Sequence, residues 1–264
     1  MQSNLNSEDK DRAVSNEMLK RRLELNNKYQ LRDFNEWLFR HFDIGPGQKV
    51  LDVGCGNGAQ TFWFANLVGS SGFVTGIDMS AESIAEVNRE LRENVSAIVG
   101  DMSELDFVLD RNGLSEQYFD LVHCSYAIPY STDTERTLNA MFHAMTKEGR
   151  MVVFVPYHPH GLVEFVKRYA AVPDQVTKVF DFGPRVLEPF FRRRFWDVSI
   201  HLFQNQVSLP GVDDVMSFYE ATTYYDDAAA PAVKQAIEAE INATGAFTYE
   251  KNGYLIEGSW KRKE

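Results

Sequence analysis

The chain has 264 residues, 44% of them apolar and 25% charged, with a formal net charge of −11. That length and apolar share can bury one sizeable core with embellishments. The acidic balance excludes a general nucleic-acid binder, whose surface must neutralise phosphates with Lys and Arg. No apolar run approaches the roughly twenty residues that cross a bilayer, and the polar first ten residues hold no secretory core. The two cysteines, Cys55 and Cys124, lack metal-ligand spacing and are expected to be reduced and unpaired in the cytoplasm.

In chain order, residues 1–12 read as disordered. From Glu17 to Phe42, apolar residues at Met18, Leu19, Leu23, Leu25, Leu31, Phe34, Leu38 and Phe42 recur at helical spacing, which predicts one or two amphipathic helices as an N-terminal cap. Ile44-Gly45-Pro46-Gly47 is a turn into the apolar run Val50-Leu51-Asp52-Val53, a buried strand. Gly54, Gly56 and Gly58 follow, where a backbone can turn tightly and approach a ligand without a Cβ in the way. Ala59 to Val68 is apolar enough for a helix. Phe73 to Asp78 reads as a second strand and Ser96 to Val99 as a third, followed by Gly100-Asp101-Met102. Strands and helices alternate to Val155, the signature of a parallel α/β sheet. Beyond it, residues 157–194 are aromatic and proline-interrupted. A sixth strand is predicted over Phe195–Leu202, helices over roughly 212–225 and 231–244, and a last strand over Gly253–Trp260.

The run D-V-G-C-G-N-G at 52–58 resembles the first motif of the class I S-adenosylmethionine (SAM) dependent methyltransferases. The same residues also satisfy the looser G-x-G-x-x-G/A pattern of dinucleotide binders. The two differ physically. A pyrophosphate needs a helix N-terminus free of negative charge, whereas SAM carries a sulfonium and an ammonium that an acid at Asp52 favours. Asp78, twenty residues beyond Gly58, can accept both ribose hydroxyls in either class. The resemblance implies that Asp101 faces the adenine amino group and that the next backbone N–H faces the ring. Phe119–Ser125 resembles the family's fourth strand, and Thr146–Phe154 the helix-turn-strand after it, with Gly149 closing the helix. These five landmarks span about residues 48–156.

The resemblance implies a Rossmann-like, mostly parallel sheet of seven strands with an antiparallel last strand and helices on both faces. It is expected as a single domain over 13–264: a helical cap (13–43), a SAM-binding core (48–156), and acceptor-side insertions after strands 5 and 6 with the last two strands (157–264). The implied cofactor set is Tyr29, Asp52, Gly54, Gly56, Gly58, Asp78, Met79, Asp101, Met102, Cys124 and Ser125, with Tyr29 closing over the cofactor from the N-terminal helices. S-adenosylhomocysteine would be the product, and no metal is expected.

Methyl transfer is an in-line displacement that needs positioning and water exclusion, and a base only where the acceptor must lose a proton. The acceptor is expected at the C-terminal ends of strands 4 and 5, beside Cys124–Tyr130 and Pro156–His160. His158 and His160 are the candidate bases there, with Tyr126, Tyr130 and Tyr157 as polar contacts. His123, inside the fourth strand, reads as packed core. Many small-molecule members carry a histidine four residues past the Ser125 position. This chain has Pro129 there, which departs from that pattern. Late aromatic residues suggest an aromatic or partly apolar small molecule as acceptor, with neither nucleic acid nor membrane as partner and a monomeric or homodimeric state. The alternatives are an RNA or protein methyltransferase, a cofactor-binding scaffold without turnover, and a nicotinamide dehydrogenase.

Overall fold

Short apolar runs separated by helical segments assemble into a parallel sheet. The computed structural model describes residues 16–114 and 118–260. The disorder expected for 1–12 lies outside them, as does the basic run 261–263. Strands β1 (Lys49–Val53), β2 (Phe73–Asp78), β3 (Val95–Val99), β4 (Phe119–Ser125) and β5 (Met145–His160) pair in parallel, in the order β3-β2-β1-β4-β5. The path continues through β8 (Phe247–Ser259) to β6 (Asp197–Phe203), and β7 (Gln206–Leu209) pairs antiparallel with β8. Seven strands thus follow one path, and β7 is an eighth that the sequence pattern did not suggest.

The central strands are apolar because both faces are covered: Val50, Leu51, Val53, Val122 and Cys124 have no exposed surface. Helices α1 (Asn16–Tyr29) and α2 (Phe34–Phe39) precede β1, and α3 (Ala59–Val68), α4 (Ala81–Arg89), α5 (Leu105–Arg111) and α6 (Thr134–Ala144) follow successive strands. Short polar side chains cap two of them. Ser80 accepts from the Ser83 N–H at the start of α4, and Asp133 accepts from the Arg136 N–H at the start of α6. Strand order reverses between β1 and β4, and the crevice beyond their C-terminal ends is where open α/β sheets hold ligands.

The chain forms two compact units. Of the described residues, the sheet unit takes those within 38–155, 182–201 and 254–260, and the accessory unit those within 16–37, 156–181 and 202–253. The latter contains α1 (Asn16–Tyr29), two later helices over Val212–Glu220 and Ala230–Thr244, and β7. Its core is built from Val207, Leu209, Val215, Tyr219, Val233, Ile237 and Phe247.

Two local expectations are corrected. Gly149 does not close a helix: α6 ends at Ala144, and Met145 pairs with Phe119 across a bulge, which draws residues 145–149 into β5. Gly149 is needed for close packing, since a Cβ there would lie 2.9 Å from the Phe119 carbonyl oxygen. β5 also runs on to His160, so Pro156–His160, expected beyond the strand's end, lies within the strand.

Candidate cofactor site

The glycine loop leaves β1 at the switch point. Gly54 has φ +73°, and a Cβ on it would fall 2.2 Å from the Ala127 Cβ and 3.5 Å from the Met102 Cε. Its conformation and its neighbours therefore both require glycine. Three arms meet here: the loop itself, the residues after β3, and the residues after β4. The Gly54 and Cys55 N–H groups both donate to the Ile77 carbonyl, which anchors the loop to β2.

Asp78 ends β2 and holds the next turn of the loop. One of its carboxylate oxygens accepts from the Gly56 N–H and the other from the Ser80 N–H, each at 2.9 Å. Beside it, Met79 and Val99 stand 57% and 47% exposed at the ends of two paired strands, an open apolar surface next to a carboxylate. Asp101 is exposed and caps the short 3₁₀ turn Met102–Glu104 by accepting from the Ser103 N–H.

Asp52 is 1% exposed. Its two oxygens accept from the Thr61 hydroxyl at 2.6 Å and from His123 Nδ1 at 2.9 Å. The charge of Asp52 still reaches the loop. Burial raises the Cys55 thiol well above its ordinary pKa, and Asp52 and Asp78 raise it further. The same pair adds to the burial that pushes Cys124 up to about 12. Two carboxylates thus bathe the glycine loop in negative potential, which suits a cation and opposes a pyrophosphate.

After β4 the chain turns sharply at Tyr126, which has φ +61° and is tied by its N–H to the Phe154 carbonyl. A network of buried hydroxyls then fastens this loop to the one after β3. Ser131 bonds Ser103 and Thr137, the Thr132 N–H donates to Ser103 Oγ, and the Thr137 hydroxyl donates to the Met102 carbonyl. Met102 is thereby held against Gly54.

The glycine loop lies within a segment that matches a known family. The family profile described as a methyltransferase domain matches residues 44–189. A Vibrio campbellii protein named as a ubiquinone/menaquinone biosynthesis C-methyltransferase is 30% identical over 191 residues, covering 69% of this chain and 68% of its own. The chain belongs to the methyltransferase-domain family. A demethylmenaquinone methyltransferase of Staphylococcus aureus is 32% identical over 162 residues, covering 59% of this chain and 64% of its own. The YcgJ protein of Bacillus subtilis, 14% identical, shares the fold with a TM-score of 0.57 over 86% of this chain and 98% of its own.

The protein is a class I SAM-dependent methyltransferase, and SAM is its cofactor. The residues present fit that group: a loop at the switch point with Gly54, Gly56 and Gly58 all at positive φ, and a field of two carboxylates for a sulfonium. Two expected contacts change character. The Cys124 side chain is wholly buried, so only its main chain is available to a ligand. Tyr126 has its phenol pushed above the ordinary tyrosine range by burial, which argues against a base. Ser125 Oγ is buried with no hydrogen-bond partner among the described residues, and Tyr130 is 47% exposed.

The methyltransferase's remaining candidates lie in the accessory unit. The Tyr29 hydroxyl donates to Asp214 at 2.5 Å, and its ring packs against the unit's core. His158 meets Phe180 edge-on at 4.8 Å. His160 Nδ1 lies 2.6 Å from the Asn252 carbonyl, and burial holds its pKa down at about 4. A carbonyl only accepts, so Nδ1 carries the proton and Nε2 the lone pair. His123 is packed core as expected, but its bond to Asp52, that of Thr61 and the Ser103–Ser131–Thr137 network were not anticipated. Their signal was the adjacency of β1 and β4, which spacing alone does not reveal. Among the described residues no helix is long and apolar enough to cross a membrane, and no group of His, Cys, Asp and Glu could hold a metal ion.

Proposed function

We propose that this methyltransferase transfers the methyl group of SAM to a small aromatic acceptor of quinone type, at a ring carbon or its oxygen. The carrying observation is the 30% identity to a protein named for C-methylation in ubiquinone and menaquinone biosynthesis, on a chain whose cofactor loop geometry is complete. When bound, SAM supplies an electrophilic methyl carbon on a sulfonium.

The protein's own residues bind, orient and exclude water. Gly54 seats the loop against Met102 and Ala127. Asp78 offers its carboxylate to the ribose diol, while Met79 and Val99 flank the adenine, whose amino group faces Asp101. Asp52 acts through the loop it steadies and through its field. Tyr29 is proposed as a cofactor contact; Tyr29→Ala with unchanged S-adenosylhomocysteine affinity would remove that role. An aromatic carbon is activated when a neighbouring hydroxyl loses its proton. His158 and His160 are the residues proposed to take it, His160 through its unprotonated Nε2.

The test is single turnover with methyl-labelled SAM and a short-chain demethylmenaquinol. Label should appear in the extracted quinol with one equivalent of S-adenosylhomocysteine. Tight SAM binding with label confined to SAM would defeat the acceptor assignment.

A further inference from the structure

The chain is acidic overall, with a net charge of −11, yet one face of the sheet unit is basic and aromatic. Arg192, Arg193 and Arg194 end the helix Glu188–Arg194 and are all exposed. Arg192 is neutralised by Glu188, four residues back, at 2.7 Å. Arg194 donates to the neutral Asn139 side chain at 2.8 Å and lies over the rings of Phe142 and Phe190 at 5.4 and 5.6 Å. Arg193 has no ion-pair or hydrogen-bond partner among the described residues. Two exposed cations are therefore left without a neutralising acid among the described residues.

The rings beside them are held in a fixed order. Phe195 is buried against β8, where a Cβ on Gly258 would lie 2.3 Å from its ring. Its extended backbone sends the next side chain the other way. Trp196 accordingly stands 74% exposed at the entry to β6, the last strand on the sheet's path. Trp260, just past β8, is 39% exposed and packs on Phe142 at 5.2 Å and on Phe195 at 6.3 Å. In sequence it leads into the basic run Lys261-Arg262-Lys263. Every described residue named here belongs to the sheet unit.

We propose that this face docks on an anionic lipid surface, with Trp196 and Trp260 entering the headgroup layer and Arg193 and Arg194 pairing with phosphates. Trp favours the boundary between water and a bilayer, where its apolar ring and its N–H are both satisfied. Cations beside such rings are drawn to an anionic leaflet. A second copy of the chain fits poorly, because a two-fold contact through this face sets Arg against Arg. A single-stranded nucleic acid needs a basic groove along several nucleotides, which two cations do not make. The contact is with a surface and not across it, since no described helix is long and apolar enough to span one. The proposal departs from the expectation of no membrane partner, because neither net charge nor the lack of a spanning run describes a single face. Charges are screened beyond about 10 Å at 0.1 M salt, so the patch outweighs the distant acids at contact.

The test is co-sedimentation of the wild type, Arg193→Glu and Trp196→Ala with two kinds of vesicle, phosphatidylcholine alone and equal parts of phosphatidylcholine and phosphatidylglycerol. Thermal melts confirm that each variant folds, and S-adenosylhomocysteine affinity should be the same in all three. The wild type should bind the anionic vesicles at least tenfold more tightly than the neutral ones, and raised salt should release it. Arg193→Glu should weaken that binding about fivefold or more, the worth of one cation at the surface. Trp196→Ala should lose most of the quenching of tryptophan fluorescence by brominated lipid. No binding of the wild type to anionic vesicles, equal binding to both kinds, or unchanged binding in both variants would each overturn the site. Competition by a single-stranded oligonucleotide, or a dimer in the ultracentrifuge that Trp196→Ala dissolves, would give the face to another occupant.

Discussion

Asp52 and His123 occupy paired positions on β1 and β4, with the carboxylate accepting from the imidazole at 2.9 Å where neither side chain meets solvent. Thr61 takes the other carboxylate oxygen. The acid two residues before Gly54 is therefore tied to the neighbouring strand and to the helix after the loop. His123 is itself fixed by the ring edges of Phe42 and Phe64. The pair sets the direction in which β1 delivers the glycine loop.

His123→Ala removes one partner of a buried carboxylate. The expected loss is about 3–5 kcal/mol, read as the shift in urea unfolding, with weaker S-adenosylhomocysteine binding in calorimetry. A change below about 1 kcal/mol, the size of an ordinary hydrogen bond, would mean that Asp52 does not depend on the imidazole.

Gly54→Ala forces a Cβ to 2.2 Å from Ala127 at φ +73°. The backbone strain alone is worth about 1–3 kcal/mol, and the loop must move away from the residues after β4. Cofactor affinity should fall at least tenfold while far-UV circular dichroism is retained. Near-wild-type affinity would show that the three arms do not meet in solution as described.

Asp78→Asn keeps shape but offers one acceptor oxygen where two N–H groups, those of Gly56 and Ser80, now donate. One lost bond costs about 1 kcal/mol. S-adenosylhomocysteine should bind tenfold more weakly through loss of the charge-assisted ribose contact. An unchanged dissociation constant would remove Asp78 from the cofactor contacts.

Much of the sheet and of the glycine loop was legible because their constraints are local. A strand buried on both faces must be apolar, and a turn at positive φ favours glycine. Phe73–Asp78 and Phe119–Ser125 fall where the sequence placed them. What was not legible is non-local. The histidine that meets Asp52 is set by which strands are neighbours. The hydroxyls of Ser103, Ser131 and Thr137 find each other through two loops 28 residues apart. Lys251 sits in a polar stretch, Thr248 to Asn252, where nothing local tells that the strand will bury it. Gly149 misled because a glycine after a helix and a glycine at a close strand contact look alike in sequence.

Acidification gives a further prediction. His160 has a folded pKa of about 4 against an ordinary 6.5, so the unfolded chain takes up the proton first. Its contribution to stability is complete above pH 6.5, declines as pH falls from 6.5 to 4, and declines no further below that. Urea midpoints of the wild type should follow this slope, and His160→Phe should flatten it. An identical slope in both would assign it to other groups. Lys251 acts in a separate alkaline window. With a folded pKa of about 8 against 10.5, it makes stability rise with pH between those values.

The two cysteines are buried at 9% and 0% exposure, and burial raises both thiol pKa values well above the ordinary one, which keeps them protonated. Thiolate is the species that alkylating probes attack, so the folded protein is silent toward maleimides. A cysteine introduced at the exposed Phe107 would then be the one position to take a dye, and labelling of the native pair would become a clock for unfolding.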